Sequence, residues 1–383
     1  MARPAVRDVQ GAFQQRFVRG FSALIVAAAC FTPRPSSAYS VLAHESNIDA
    51  LWASHIRPLL REKYPQTSAA ELDEARAYAY GGSVVLDLGY FPFGSRFFTN
   101  VLHYVRTGDF IETMLRDATD VNEYAFALGA LSHYASDAEG HAIAINHAIP
   151  LLYPKLRKKF GDSVTYNQAP KEHLMVEFAF DVLLVAHGGY ELQAYHDFIG
   201  FQVAAPLLER AFRDTYGLEM KDLFLSEDLA IGTFRHAVGT TIPNVTKVAW
   251  EKKQDQIQQT TPGAIRERFV LTLPRVEYEK KYGADYKKPH GVVRVLGWLY
   301  VLVPKIGPLR PLAFKVPTPE AEKLFLDSLT ETRDRYRADL ELVRAGRLKL
   351  PNIDLDTGRA AAPGEYPLAD QTMAELAKRG RNR

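Results

Sequence analysis

Residues 121–147 read VNEYAFALGALSHYASDAEGHAIAINH, and this stretch decides the fold. We expect a long helix over it, with several alanines and glycines along its length. His133, Asp137 and His141 follow one another at steps of four residues, so they lie on one face of that helix. Burying three ionisable groups on an alanine-rich face is costly unless a cation neutralises them. The stretch therefore predicts a helix that carries metal ligands.

The segments around this helix also have helical patterns. Apolar residues in 44–62 recur with helical spacing, and Ser68 begins a second predicted helix that runs to Ala79, with Glu71 as its capping-box partner. Strand signals are weak, so the predicted fold class is all-α, a multi-helix bundle with long connections. The remaining predictions are an irregular glycine-rich passage at 81–94 and helices near 171–187, 203–215, 226–238 and 318–345.

Histidine is unevenly distributed along the chain. Seven of the 11 histidines fall between His44 and His173. The single cysteine, Cys30, rules out a thiolate-rich zinc site, so any metal must be held by imidazoles and carboxylates, which suit zinc and its neighbours. His173 and Glu177 repeat the four-residue step, and Asp181 lies one step further. We interpret the more scattered histidines as core or surface residues: His55, His187, His196, His236 and His290.

The N-terminus has the pattern of an export signal. Basic residues precede the apolar run 21–31, and Ser36 and Ala38 place small residues before a predicted cleavage site at Tyr39. The run is too short to span a bilayer as a helix. We therefore expect an exported protein, periplasmic or secreted, with a lipoprotein acylated at Cys30 or a membrane anchor as alternatives. Without residues 1–38 the chain has 42 basic and 44 acidic residues, which does not favour a nucleic-acid-binding surface.

The ordered set of polar residues resembles a known family. Tyr39-Ser-Val-Leu-Ala-His44, Asp87 with His103, His133-x-x-x-Asp137-x-x-x-His141 and His173-x-x-x-Glu177 follow, in order, the ligand pattern of the zinc-dependent phospholipase C family. The family includes bacterial phosphatidylcholine-preferring phospholipases C and the N-terminal domain of glycosylphosphatidylinositol-specific phospholipase D. Fungal single-strand-specific nucleases share its fold and its trinuclear zinc site. The resemblance covers roughly residues 39–190.

The resemblance implies up to three zinc ions. Asp87, His103, His133 and Asp137 would hold the first ion, and His141, His173 and Glu177 the second. The third would use His44, Asp137 as a bridge, and the backbone amine and carbonyl of Tyr39. The best-studied members begin with tryptophan instead of tyrosine, but the ligand atoms there belong to the backbone. Their last helical histidine lies six residues after the aspartate rather than four, so His147 is an alternative to His141.

The implied activity is hydrolysis of a phosphodiester. Zinc lowers the pKa of water to near neutrality and neutralises phosphoryl oxygens, with Asp87 and Asp137 as the predicted catalytic carboxylates. We expect a phospholipase C that converts glycerophospholipids to diacylglycerol and a phosphorylated headgroup by attack of a zinc-activated water. The alternatives are a nuclease or nucleotidase with the same metal centre, using aromatic platforms such as Tyr90, Phe91 and Phe93, or a non-catalytic binding protein stabilised by metal.

The predicted domain organisation has three parts. Residues 1–38 are the signal peptide, 39–257 the zinc-dependent catalytic domain, and 258–383 a C-terminal extension. Within the extension, the broken apolar stretch 292–314 suits either peripheral contact with a membrane or packing onto the catalytic domain. The amphipathic helix predicted at 317–345 is interpreted as a scaffold.

Overall fold

The computed structural model describes residues 41–188, 202–238, 242–269, 314–360 and 362–381. All regular structure in these ranges is helical, and the only β-pairing there is one isolated bridge between Asp354 and Arg359. The all-α fold class is therefore confirmed. None of the helices in these ranges has both the length and the apolar composition that a membrane-spanning helix needs.

The described helices are numbered in chain order. They are α1 (Val41–Leu51), α2 (Arg57–Lys63), α3 (Ala69–Val85), α4 (Arg96–Tyr104), α5 (Thr107–Asp117), α6 (Val121–Glu139), α7 (Asn146–Leu152), α8 (Pro154–Phe160), α9 (Pro170–His187), α10 (Ala205–Tyr216), α11 (Glu227–His236), α12 (Ile242–Thr260), α13 (Pro319–Arg344) and α14 (Pro367–Arg381). The helices predicted near 171, 203, 226 and 318 correspond to α9, α10, α11 and α13.

Helix α3 begins as predicted but ends later. The Ser68 side chain accepts the backbone N–H of Glu71, whose carboxylate in turn accepts the N–H of Ser68, which is the predicted capping box. The prediction of irregular backbone from residue 81 was wrong for its first part, because the helix continues to Val85 and a 3₁₀ turn, Leu86–Tyr90, follows. This turn carries Asp87.

Close packing against α6 explains why α3 continues through its glycines. A Cβ atom placed on Gly82 would lie 1.9 Å from the backbone oxygen of Phe126, and one on Gly129 would lie 2.0 Å from the backbone oxygen of Ala79. The two helices thus meet backbone to backbone at a pair of glycines, one from each. Glycine weakens an isolated helix by about 1 kcal/mol relative to alanine, and this tertiary contact offsets that cost.

The long helix predicted at 121–147 is interrupted. Helix α6 starts at an Asp120 N-cap and ends at Glu139, and a π-helical segment, Gly140–Ile145, joins it to α7. Such π segments occur within helices frequently at functional sites. Here the π segment carries His141, so this side chain leaves the regular four-residue register of α6.

The C-terminal part of the described chain packs on these helices. The Tyr336 hydroxyl of α13 donates to the backbone oxygen of Leu128 in α6. The following segment, 350–360, crosses the same region, and its Leu355 N–H donates to the backbone oxygen of His103. The boundary predicted between 257 and 258 stays a prediction, but residues beyond it clearly contact the helices that carry the site.

Several sequence predictions lie outside the described residues. These are the export signal at 1–38 with Cys30, the N-terminal residue Tyr39, His196, His290 and nearly all of the apolar stretch 292–314.

Candidate metal centre

Six helical elements bring the predicted ligands together. α1 supplies His44, the 3₁₀ turn supplies Asp87, and α4 supplies His103. The remaining side chains come from α6 (His133 and Asp137), the π segment (His141) and α9 (His173 and Glu177). All eight are buried. They form three groups, each with donor atoms close enough to hold a metal ion.

The first group surrounds the carboxylate of Asp137. Its Oδ2 atom lies 3.2 Å from Nε2 of His103 and 3.1 Å from Nε2 of His133. These two nitrogens are 3.3 Å apart, and Oδ1 of Asp87 lies 3.3 Å from Nε2 of His103. A tetrahedral zinc site with bonds of about 2.0–2.1 Å separates its donor atoms by about 3.3 Å. The four side chains therefore have the spacing of ligands that share one ion.

Asp137 also faces a second set of donors with its other oxygen. Oδ1 lies 3.3 Å from Nε2 of His44, and the rings of His44 and His133 are stacked with their centroids 4.4 Å apart. His44, His133 and Asp137 form the third group. A carboxylate that presents one oxygen to each of two donor sets is suited to bridge two ions.

The second group lies beside the first. Nδ1 of His173 is 3.3 Å from Oε1 of Glu177, and the His141 ring stacks on the His173 ring with centroids 5.2 Å apart. Nε2 of His141 lies 3.9 Å from Oδ1 of Asp137, so the second group adjoins the shared carboxylate. The structure thus places His141 in this group. His147 is exposed and contacts the backbone oxygen of Asp162 instead.

The carboxylates of the centre have buried oxygens that lack a hydrogen bond of normal geometry. These are both oxygens of Asp87, both of Asp137 and Oε2 of Glu177, although imidazole nitrogens lie 3.1–3.3 Å from three of them. Buried polar atoms in proteins are normally hydrogen-bonded, and an exception requires an explanation such as an ion. Together with the spacing of the donors, these atoms show that the residues present fit a zinc-type centre.

The electrostatics of the centre also favour a cation. Burial, reinforced by the charges of Asp87 and Asp137, raises the pKa of Glu177 well above its ordinary value. Burial by itself would lower the pKa of His103, but the hydrogen bonds and charges of Asp137 and Asp87 outweigh it and raise that pKa to about 10. Bound protons thus offset the negative charge in the metal-free protein, and divalent ions would do so more directly.

Three imidazoles have their outer nitrogen fixed by an oxygen atom. Nδ1 of His103 contacts the backbone oxygen of Thr99, and Nδ1 of His133 contacts that of Ser83, both at 2.8 Å. Nε2 of His173 contacts Oδ1 of Asn146, also at 2.8 Å. Carbonyl oxygens only accept hydrogen bonds, so in the neutral ring the outer nitrogen carries the proton and the inner one has the lone pair. The rings are held in the tautomer that binds metal.

Asp181, one turn beyond Glu177, has a structural role. Its carboxylate accepts the backbone N–H groups of Leu42 and Ala43, at 3.2 and 3.1 Å. It therefore fixes the first turn of α1 immediately before His44. The other described histidines lie apart from the three groups, and His187 pairs with Glu322 near the surface.

Sequence reasoning missed Asp356. This residue of the C-terminal segment lies beside the second group, with Oδ1 3.4 Å from Nδ1 of His141 and 3.8 Å from Nε2 of His173. The Asp354-x-Asp356-x-Gly358 spacing is the only local signal, and it does not predict which helices the loop contacts. Asn146 was missed for the same reason, since nothing near it in the sequence indicates a role for its amide.

A small opening leads to the centre. It is lined by Tyr90, His103, Tyr104, His141, Tyr166 and Asp356. Of the aromatic residues predicted as platforms, Tyr90 lies at this opening, with its ring 6.0 Å from that of His103. Phe91 packs on Phe234 instead. The opening meets the side of the centre where the first and second groups adjoin.

The fold and the site define a class of protein, a helical protein in which buried imidazoles and carboxylates form three adjoining groups that could each hold a metal ion. Comparison with known families points to the same family as the sequence pattern. The family model described as zinc-dependent phospholipase C matches residues 51–225, in agreement with the order of the ligand residues. No curated protein and no solved structure matches the chain. Seven of the eight side chains in the three groups lie within the matched region, and His44 lies outside it. Asp356, beside the second group, also lies outside it.

Proposed function

We propose that this protein is a zinc-dependent phosphodiesterase of the phospholipase C type, which hydrolyses glycerophospholipids to diacylglycerol and a phosphorylated headgroup. The observation that carries the proposal is the bridging position of Asp137, whose two oxygens face different donor groups within a region matched by the phospholipase C family model. Phosphodiester hydrolysis is chemistry that closely spaced metal ions promote.

Bound zinc would supply Lewis acidity toward the phosphate and lower the pKa of water. The residues of the chain orient the ligands, accept a proton and limit the access of solvent. Asp137 orients the imidazole of His44 with one oxygen and those of His103 and His133 with the other. Asp87 has two buried oxygens that lack a hydrogen bond of normal geometry, and it contacts His103, which lines the opening. It is therefore the proposed carboxylate to accept a proton from the attacking water. The tyrosines of the opening exclude bulk water from the centre.

Two alternatives have specific consequences. A nuclease with the same centre would use aromatic rings for stacking bases, and Tyr90 and Tyr166, with centroids 6.2 Å apart, stand at the opening. A non-catalytic protein would hold its metals without hydrolysing any phosphodiester. Both alternatives are separated from a phospholipase by experiment.

The substrate class is tested with a panel of three compounds. Purified protein beginning at Tyr39 and loaded with zinc is given phosphatidylcholine vesicles, a glycosylphosphatidylinositol and single-stranded DNA under the same conditions. We expect diacylglycerol to be released from phosphatidylcholine, with no cleavage of DNA. Cleavage of DNA alone would replace the proposal with the nuclease, and no hydrolysis of any of the three would contradict the enzyme assignment.

We further propose that the protein is exported and that removal of residues 1–38 completes the third group. Asp181 anchors the first turn of α1 at Leu42 and Ala43, and His44 follows one residue later in the centre. Tyr39 lies only five residues before His44 in the sequence. By the family resemblance, a free amine on Tyr39 would be a ligand of the third group, and that amine exists only after cleavage.

Adding one residue tests this proposal. Protein starting at Tyr39 is compared with protein starting at Ala38, which displaces the terminal amine by one residue. We expect three zinc ions per chain in the first protein and one fewer in the second, with slower hydrolysis, by elemental analysis and activity assay. Equal zinc content and equal rates would remove Tyr39 from the ligand set.

A further inference from the structure

We propose that Asp356 is a positioning residue of the metal centre, whose carboxylate holds Nδ1–H of His141 and so directs Nε2 of that ring toward the metal. The proposal extends the metal binding argued above, and it concerns a residue that lies outside the matched family region, in the C-terminal part of the chain.

The first argument comes from the other imidazoles. His103, His133 and His173 each have their outer nitrogen 2.8 Å from an oxygen that can only accept a hydrogen bond. Metal-bound histidines are generally fixed in this way by a carboxylate or carbonyl oxygen. His141 is the remaining histidine of the first and second groups, and the oxygen nearest its Nδ1 among the described contacts is Oδ1 of Asp356, at 3.4 Å.

The second argument is the orientation of the His141 ring. Its Nε2 faces the shared carboxylate, 3.9 Å from Oδ1 of Asp137, while Nδ1 faces Asp356 on the other side. The three side chains that can hold one ion together are His141, His173 and Glu177. Asp356 thus lies behind the ring, where it would act on the metal through the imidazole.

The third argument is that the carboxylate of Asp356 is itself held in place. Oδ2 accepts the backbone N–H of Tyr166 at 2.9 Å and the hydroxyl hydrogen of Tyr366. Oδ1 has no hydrogen-bond partner of normal geometry and is buried. Two partners therefore fix one oxygen and leave the other directed at His141.

The backbone of the same residue acts on the other imidazole of the second group. Nδ2 of Asn146 donates to the backbone oxygen of Asp356 at 2.7 Å, which turns Oδ1 of the amide toward Nε2 of His173. One residue of the C-terminal segment therefore influences both His141, through its side chain, and His173, through Asn146. The orientation of both imidazoles in the second group therefore depends on segment 350–360.

The loop that presents Asp356 has a defined conformation. Oδ1 of Asp354 accepts the backbone N–H groups of Asp356 and Thr357, at 2.8 and 3.2 Å, and Leu355 is tied to the backbone of His103. Gly358 has a φ of +69°, and a Cβ there would lie 2.7 Å from the backbone oxygen of Ala138. The loop is thus fixed against the end of α6, next to the π segment that carries His141.

Asp356→Asn tests the proposal by zinc affinity, without any substrate. The amide can still accept the N–H of Tyr166, but it loses the negative charge that faces His141. We expect the ion of the second group to bind about 10–100-fold more weakly, the usual cost of losing such a partner, by competition with a fluorescent zinc chelator. The other ions should keep their affinity. Because the readout is zinc binding, a wrong substrate assignment would leave this result intact.

Two further variants complete the experiment. Tyr366→Phe removes only the hydroxyl that holds Oδ2 of Asp356, so we expect it to lower the affinity for the same ion by a smaller factor. This variant tests the proposal if Asp356→Asn fails to fold. Glu375→Gln makes the same charge change on the exposed face of α14 and should leave zinc affinity unchanged. Zinc affinity within twofold of wild type in both Asp356→Asn and Tyr366→Phe would overturn the proposal. So would lower stability of the metal-free protein without a change in zinc affinity.

Discussion

Asp137→Ala is expected to abolish hydrolysis, with kcat/KM at least about 10³-fold lower, the scale associated with losing a central electrostatic group. The substitution removes the two oxygens that lie 3.1–3.3 Å from His44, His103 and His133. It also leaves buried imidazoles without their acceptor, so both the first and the third group lose their shared ligand. Elemental analysis should accordingly find at least one zinc ion fewer per chain.

His236→Ala is the matched control for this experiment. His236 is exposed at the end of α11 and belongs to none of the three groups, so its loss should leave activity and zinc content near wild type. His133→Ala should resemble Asp137→Ala, because its Nε2 belongs to the same set of donors. If Asp137→Ala and His236→Ala reduced activity equally, Asp137 would not be the bridging ligand.

Among the proposed variants in α3 and α6, we expect Gly129→Ala to cause the largest decrease in the free energy of unfolding. The added methyl group would lie 2.0 Å from the backbone oxygen of Ala79, and backbone cannot move aside as a flexible side chain can. Overpacking of this kind costs about 1–3 kcal/mol, and alanine returns about 1 kcal/mol through its higher helix propensity. Because the contact is backbone to backbone, we expect the clash to win, with a lower unfolding midpoint.

The same substitution should weaken metal binding. α6 carries His133 and Asp137, and the turn after α3 carries Asp87, so separating the two helices separates ligands of the first group. Gly263→Ala is the control, since a Cβ there meets nothing within 4 Å and the residue has no left-handed backbone. A midpoint for Gly129→Ala equal to that of Gly263→Ala would mean that α3 and α6 can move apart at no cost.

The sequence predicted most of the helical framework because the signals are local. Apolar spacing, the Ser68 capping box and the four-residue steps of His133 with Asp137 and of His173 with Glu177 all depend on residues within one or two turns. Such interactions act the same way whatever the rest of the chain does. The match to the family model was also predictable, because the ordered set of candidate ligands remains visible along the chain even though its members meet only in space.

The glycine-rich passage at 81–94 was predicted poorly because its signal is ambiguous. Glycine lowers helix propensity, so Gly81 and Gly82 read as the end of a helix. In the structure the missing side chain of Gly82 is what lets α6 approach, and the contact stabilises the helix that the glycine weakens. The low helix propensity of Gly82 destabilises α3, whereas the packing of α6 against it stabilises the helix. Only the packing depends on the tertiary fold.

The sequence by itself thus predicted the all-α fold class, the family resemblance and the residue types of the candidate metal centre. The tertiary structure decided which donors converge: the two oxygens of Asp137 face different groups, and His141 of the π segment, not His147, lies in the second group. It also brought Asp356 to the centre from 215 positions beyond His141. Loop 350–360 reaches the site through backbone hydrogen bonds to distant helices, and such contacts leave no periodic pattern in the sequence from which they could be predicted.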